Sequence, residues 1–149
     1  MEMKKLRVAL RALRVDQLLK MRILLADDHR RLLELTRDLL VPTFDVVGCV
    51  GDGESLVEAA GKLQPNVIVT DISMRKLNGI EAASRLRESG SSSKIVFLTV
   101  HADADFVQAA LNTGALAYVS KLRIDTDLLL AIEEVLAGRI FVSPLGSAV

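Results

Sequence analysis

At 149 residues the chain has the usual span of one domain, long enough to bury a core without disulfides or a structural metal. Half of it is hydrophobic, yet apolar runs such as 23–26 and 67–69 are far too short to cross a bilayer, so a membrane role is not expected. The lone cysteine, Cys49, has no disulfide partner and no zinc-ligand spacing around it, which fits a cytoplasmic chain, and the formal net charge is zero.

The charge is unevenly spread. Residues 1–22 hold seven Lys or Arg against two acids, while the rest hold twelve against seventeen, so the globular part is mildly acidic and DNA is not its expected direct partner. Residues 1–21 set Met3, Leu6, Leu10 and Leu13 at roughly helical spacing among Lys4, Lys5, Arg7, Arg11 and Arg14, a basic amphipathic pattern. The arginines interrupt any signal-peptide core. Two readings stand: a membrane-surface or partner helix, or an upstream extension, since Met21 stands just before the first strand. The second is preferred.

From Arg22 onward, short β-branched or leucine-rich runs alternate with helical periodicity, the order of a parallel sheet covered on both faces. Strands are predicted at 23–26, 45–50, 67–70, 94–99 and 117–119, and helices at 30–40, 54–62, 80–87, 105–112 and 125–137. Pro42, Pro65-Asn66, Asn78-Gly79 and the polar loop 89–93 punctuate them, and Gly114 falls where the fourth helix should stop. Residues 22–142 form the expected domain, 143–149 a short tail with no output domain. Cys49, on a strand predicted to be buried, reads as inert packing.

In an open parallel sheet, ligands bind beyond the carboxyl ends of the strands. Here Asp27 and Asp28 follow the first strand, Asp71 follows the third, Thr99 ends the fourth and Lys121 follows the fifth. Three carboxylates in one pocket repel unless a proton or a cation relieves them. With oxygen ligands on offer and no imidazole or thiolate judged well placed, the expected ion is Mg²⁺, with Mn²⁺ as the alternative. That chemistry suits phosphoryl transfer, with Asp71 as nucleophile, Lys121 and the metal neutralising charge, and Thr99 donating to a phosphoryl oxygen.

From Arg22 to Val142 the chain resembles the receiver domains of two-component response regulators. The resemblance rests on the acidic pair in Leu24-Leu25-Ala26-Asp27-Asp28-His29, the acceptor segment Val69-Thr70-Asp71-Ile72-Ser73-Met74, the switch segment Phe97-Leu98-Thr99, and the run Gly114 to Lys121. It implies a flavodoxin-like doubly wound sheet of five parallel strands in order 2-1-3-4-5 with five helices. It further implies Mg²⁺ on Asp27, Asp28, Asp71 and the Ser73 carbonyl, with Asp28 the more direct of the acidic pair. Asp71 becomes the phosphoacceptor, Lys121 its partner, Thr99 the switch hydroxyl and Tyr118 the switch aromatic. Implied partners are a sensor histidine kinase and, on phosphorylation, a second copy, with DNA reached only through an output domain. The likeness is strongest to receivers that precede a helix-turn-helix domain, judged from Asp27-Asp28-His29-Arg30, Leu98-Thr99-Val100-His101 and 138–144. Ser73, Met74, Arg75 and His101 are candidate modulators, and Arg75 stands where the family usually has proline, which predicts a less rigid loop.

Taken singly, Asp28 or His29 would more often cap a helix, Lys121 be a solvated lysine, and Thr99 and Tyr118 ordinary strand residues. Five matches at the ends of four strands argue for a site. Gly48, Gly51 and Gly53 follow the second strand, where a dinucleotide fingerprint would need them after the first; Gly53 reads as a turn. A haloacid-dehalogenase-like phosphohydrolase would place a general acid where this chain has Ser73, and a pseudo-receiver would lack one of the five residues. The domain is therefore expected to be a switch with only self-phosphorylation and self-dephosphorylation chemistry.

Overall fold

The computed structural model describes residues 15–100 and 103–144. A parallel sheet runs through it, built from β1 (Arg22–Ala26), β2 (Asp45–Val50), β3 (Val67–Thr70), β4 (Lys94–Thr99), β5 (Ala117–Ser120) and β6 (Phe141–Val142), in the order 2-1-3-4-5-6. The helices are α1 (Arg30–Leu40), α2 (Gly53–Leu63), α3 (Gly79–Glu88), α4 (Ala104–Asn112) and α5 (Leu129–Leu136), preceded by a single helical turn, Val15–Leu18.

The five predicted strands appear with bounds matched to within one residue. Alternation across them divides the core. Ile23, Leu25, Val67, Val69, Val96, Leu98, Ala117 and Val119 face α1 and α5, whereas Leu24, Ala26, Ile68, Ile95, Phe97 and Tyr118 face α2, α3 and α4. Each strand must therefore be apolar on both faces, which is why it reads as a continuous run.

Local chemistry fixes the helix starts. Asp52 accepts from Ser55 N at the head of α2, Asp103 from Phe106 N at α4, and Asn78 with Glu81 forms a reciprocal capping box at α3. Gly114, at φ 91°, follows the last turn of α4 as expected.

Three expectations are corrected. The sheet has a sixth strand, β6, paired parallel to β5 through Ala117–Phe141 and Tyr118–Val142. Two residues carry no readable periodicity. The fifth helix is not continuous over 125–137: a 3₁₀ turn (Lys121–Arg123) and a π turn (Ile124–Leu128) precede α5. The Asp127 carboxylate is held there by Arg123 Nε at 2.8 Å, Thr126 Oγ1 at 3.0 Å and Ser143 Oγ at 2.7 Å, so side-chain bonds compete with regular helix. Cys49 is exposed, because β2 is an edge strand whose residues are at most half-buried.

Gly53 is the first residue of α2 rather than a preceding turn. A Cβ there would lie 1.9 Å from the Leu77 carbonyl oxygen, so only glycine lets the helix head meet the loop after β3. At the other boundary, Leu18 is buried in the α1/α5 side of the core, and Ser143 is buried beyond β6. Of the expected amphipathic extension, residues 1–21, the first fourteen lie outside the described residues.

Glu133 on α5 is buried, and its Oε2 has no hydrogen-bond partner. Burial, with the Glu134 charge added, pushes its carboxyl up to about 7 from an ordinary 4.5. The folded chain therefore keeps a proton that the unfolded chain loses. This contribution to stability is complete below pH 4.5 and is lost as pH rises towards 7. Glu133→Gln should remove that slope. Between about pH 5 and pH 8, chemical denaturation should show the variant gaining about 2–3 kcal/mol on the parent; parallel pH profiles for the two would refute the assignment.

Candidate functional site

The register of the strands assembles the site. Ala26 pairs with Val50 on one side and with Thr70 on the other, so Asp27 and Asp71 emerge side by side. Thr99 pairs with Ser120, which places Lys121 one residue beyond the same edge. Backbone bonds continue past the strands, with Asp27 N donating to Val50 O and Asp71 N to Ala26 O.

Lys121 lies at the centre. Its Nζ is 2.9 Å from Asp27 Oδ2 and 3.0 Å from Asp71 Oδ2, and all three side chains are less than one-tenth exposed. Burial pushes the Asp71 carboxyl above its usual range, Asp27 adds to that, and Lys121 opposes both. Burial also works against the charge on Lys121, but the two carboxylates outweigh it and keep the amine protonated. The second oxygen of each carboxylate is oriented by backbone: Asp27 Oδ1 accepts from His29 N at 2.8 Å and Asp71 Oδ1 from Ile72 N at 2.7 Å.

The loop after β3 is held from two sides. Gly79 N donates to Ile72 O, and a Cβ at Gly79 would lie 2.0 Å from the carbonyl oxygen of Asp71 itself. Arg75 O accepts from Gly53 N at 3.3 Å and from Leu77 N at 2.7 Å, closing a tight turn around Lys76 at φ 67°. Arg75 thus occupies a backbone-tied loop despite lacking the proline ring. Ser73 and Arg75 are exposed and Met74 half-buried. Thr99 is wholly buried at the end of β4. Tyr118 is 1% exposed, and burial, with the charges of Asp103 and Asp71 adding, pushes its phenol up to about 12. His101 lies outside the described residues.

Asp28 completes the acidic set, and it differs from its neighbour: its Oδ1 is buried without a hydrogen-bond donor, whereas Asp27 is engaged by Lys121 and His29 N. A buried carboxylate oxygen of this kind calls for a cation. Asp27, Asp28, Asp71 and His29 each offer one donor atom, and these atoms lie within 4.8 Å of one another. The three carboxylates fit Mg²⁺ or Mn²⁺. The expectation that no imidazole is well placed is corrected: His29 Nδ1 is 3.4 Å from Asp28 Oδ1 and 3.6 Å from Asp27 Oδ1. His29 occupies the N-cap position of α1 but makes no side-chain cap. A cavity of about 620 Å³ between α2 and α3 lies at the opposite ends of the strands and is lined by no ionisable side chain.

Residues 23–133 match the family model of the response regulator receiver domain. The chain belongs to that family. Similar proteins include the transcriptional regulatory protein DegU of Brevibacillus brevis, 37% identical over 128 residues covering 84% of this chain and 54% of DegU. The nitrate/nitrite response regulator NarL of Escherichia coli K12 is 37% identical over 123 residues, 81% of this chain and 57% of NarL. This receiver thus spans little more than half the length of those relatives. Among solved structures, a LuxR-family two-component response regulator from Aurantimonas sp. SI85-9A1 superposes with a TM-score of 0.80 at 32% identity, covering 84% of this chain and 91% of that one. The isolated REC domain of RcsB from Salmonella enterica serovar Typhimurium, determined with the phosphomimetic BeF₃⁻, gives 0.77 at 28% identity, with coverage of 86% and 96%. No helix among the described residues of the receiver is long and apolar enough to cross a membrane.

Removing Lys121 leaves two buried carboxylates facing each other. In metal-free buffer, Lys121→Met should lower unfolding stability by about 3 kcal/mol, the cost of breaking a buried pair. Added Mg²⁺ should recover more stability in the variant than in the parent, measured by thermal melting with and without chelator. Equal melting of the two proteins in chelator would show that Lys121 does not balance this charge.

Proposed function

We propose that this receiver accepts a phosphoryl group on Asp71 from the phosphohistidine of a sensor kinase, in a Mg²⁺-dependent reaction. The observation that carries the reading is the placement of Lys121 Nζ 3.0 Å from Asp71 Oδ2, fifty residues apart in sequence, in a pocket shared with Asp27 and Asp28.

The Asp71 carboxylate attacks phosphorus as the bond from phosphorus to the donor nitrogen breaks, and that electron pair returns to the imidazole ring. Lys121 has its protons directed at the acceptor carboxylate and is placed to balance charge that spreads onto the phosphoryl oxygens. Asp27, Asp28 and Asp71, with the Ser73 carbonyl, would hold Mg²⁺, which supplies further neutralisation of those oxygens when bound. The orphaned Asp28 Oδ1 supports Asp28 as the more direct ligand of the acidic pair. Phosphoryl chemistry is confined to the domain's own modification and its reversal.

Treated with acetyl phosphate and Mg²⁺, the parent should gain one acyl phosphate by intact-mass spectrometry, and Asp71→Asn should gain none, because an amide is no nucleophile here. Labelling that survives the substitution would remove Asp71 from this role.

Readout follows as a population shift. Thr99 moves to the phosphoryl group, Tyr118 repacks beside it, and the α4–β5–α5 surface changes so that a second copy binds. One charge-assisted hydrogen bond and the Lys121 pair suffice for the few kcal/mol required. The similarity to the transcriptional regulatory protein DegU supports extending the reading to control of a DNA-binding output unit, with DNA contacted by that unit and not by the mildly acidic receiver. Sedimentation velocity at about 100 μM, where weak signalling contacts register, should show dimer only with beryllofluoride and Mg²⁺; identical profiles without them would discard the dimer and leave the phosphoacceptor reading intact.

A further inference from the structure

We infer that His29 turns the acidic pocket into a mixed oxygen–nitrogen centre that takes a zinc-class transition ion, in competition with Mg²⁺. The inference rests on the metal site of the proposed function and adds a ligand to it from this chain's own sequence.

His29 Nδ1 stands 3.4 Å from Asp28 Oδ1 and 3.6 Å from Asp27 Oδ1. Two ligands of a tetrahedral ion with bonds of about 2.1 Å are about 3.4 Å apart, whereas neighbouring ligands in an octahedral shell of that size are about 3.0 Å apart. The separations observed match the tetrahedral edge. The four donor atoms of Asp27, Asp28, His29 and Asp71 fall within 4.8 Å of one another; bonds of about 2.1 Å span about 4.2 Å at most, so an ion seated on Asp27, Asp28 and His29 has Asp71 as its neighbour.

Two further features favour ligation over an incidental ion pair. The backbone amide of His29 fixes Asp27 Oδ1 at 2.8 Å, so the residue that brings the imidazole also orients the neighbouring carboxylate. Asp28 Oδ1, buried, accepts no hydrogen bond even with the ring 3.4 Å away, so the imidazole leaves its demand unmet. An ion seated between them satisfies the carboxylate oxygen and the ring nitrogen together.

Ligand type decides the preference. Mg²⁺ takes oxygen donors in a near-octahedral shell and gives up water reluctantly, so it gains little from an imidazole. Co²⁺ and Zn²⁺ accept imidazole nitrogen readily and stand above Mn²⁺ in the usual affinity order. A zinc-class ion held by Asp27, Asp28 and His29 sits beside Asp71 and excludes Mg²⁺ from the same carboxylates. The receiver would then sense the ratio of transition ions to Mg²⁺.

The test uses the whole chain with Co²⁺ or Mg²⁺ alone as the probe. Calorimetric titration gives both affinities, and visible absorption of the Co²⁺ form reports coordination directly. The Co²⁺-to-Mg²⁺ affinity ratio should fall at least about tenfold in His29→Ala, since losing even an outer-sphere partner costs about 10–100-fold. His101→Ala, which removes the only other imidazole in the chain, should keep the parental ratio and spectrum. In the unmodified protein, the ring protons of one histidine should broaden at substoichiometric Co²⁺, and that signal should be the one missing from His29→Ala. An unchanged ratio in His29→Ala, or loss of Co²⁺ binding in His101→Ala instead, overturns the inference. Co²⁺ binding through His29 with no measurable Mg²⁺ binding supports it while overturning the Mg²⁺ reading of the proposed function.

Discussion

One ammonium group between two buried carboxylates is the constraint on which the rest of this structure turns. Lys121 bridges Asp27 and Asp71 within 3.0 Å of each, and none of the three side chains has solvent to fall back on. Such a triad carries a net negative charge and a desolvation cost that the pairing alone does not cancel. The raised pKa of the Asp71 carboxyl expresses that residual cost. A pocket in this condition favours whatever brings positive charge, and it makes the Asp71 carboxylate sensitive to the arrangement of its neighbours. The surrounding fold can be understood as the means of holding the triad in that state.

The means are mostly backbone. Parallel register sets Asp27 beside Asp71, and β4 with β5 sets Lys121 at the same edge. Two glycines then let main chain approach where a side chain could not: Gly79 against the carbonyl of Asp71, and Gly53 against that of Leu77. The loop that carries Ser73, Met74 and Arg75 is thus clamped between α2 and α3. At position 75, where the family usually has proline, the arginine carbonyl oxygen accepts from the amides of Gly53 and Leu77.

How far this was legible in the sequence depended on the type of signal. Strands covered on both faces leave unbroken apolar runs, so β1, β3, β4 and β5 could be read almost to the residue, and their polar successors named the site. β2 also reads as an apolar run, and that run alone suggested burial although the expected strand order 2-1-3-4-5 already set it at an edge, where Cys49 is exposed. The two residues of β6 have no period to detect. At the break before α5, Asp127 is held by the nearby Arg123 and Thr126 and also by Ser143, sixteen residues away, a contact that no local pattern encodes. His29 was set aside because one histidine after two acids reads as helix capping; only the geometry showed that its side chain makes no cap and its ring faces the carboxylates. The acidic pair signalled the pocket, but its third contributor type needed coordinates.

The burial of Tyr118 has a consequence for how the protein can be watched. The chain contains one tyrosine and no tryptophan, so excitation to the red of the phenylalanine band reports a single ring. That ring is 1% exposed, lies on β5 three residues before Lys121, and has its phenol proton held by burial and by the charges of Asp103 and Asp71. Any rearrangement around the Asp71 carboxylate changes the electric field and the packing at this ring. The domain therefore carries a built-in optical probe on β5, close to the Asp71 pocket, without an added label.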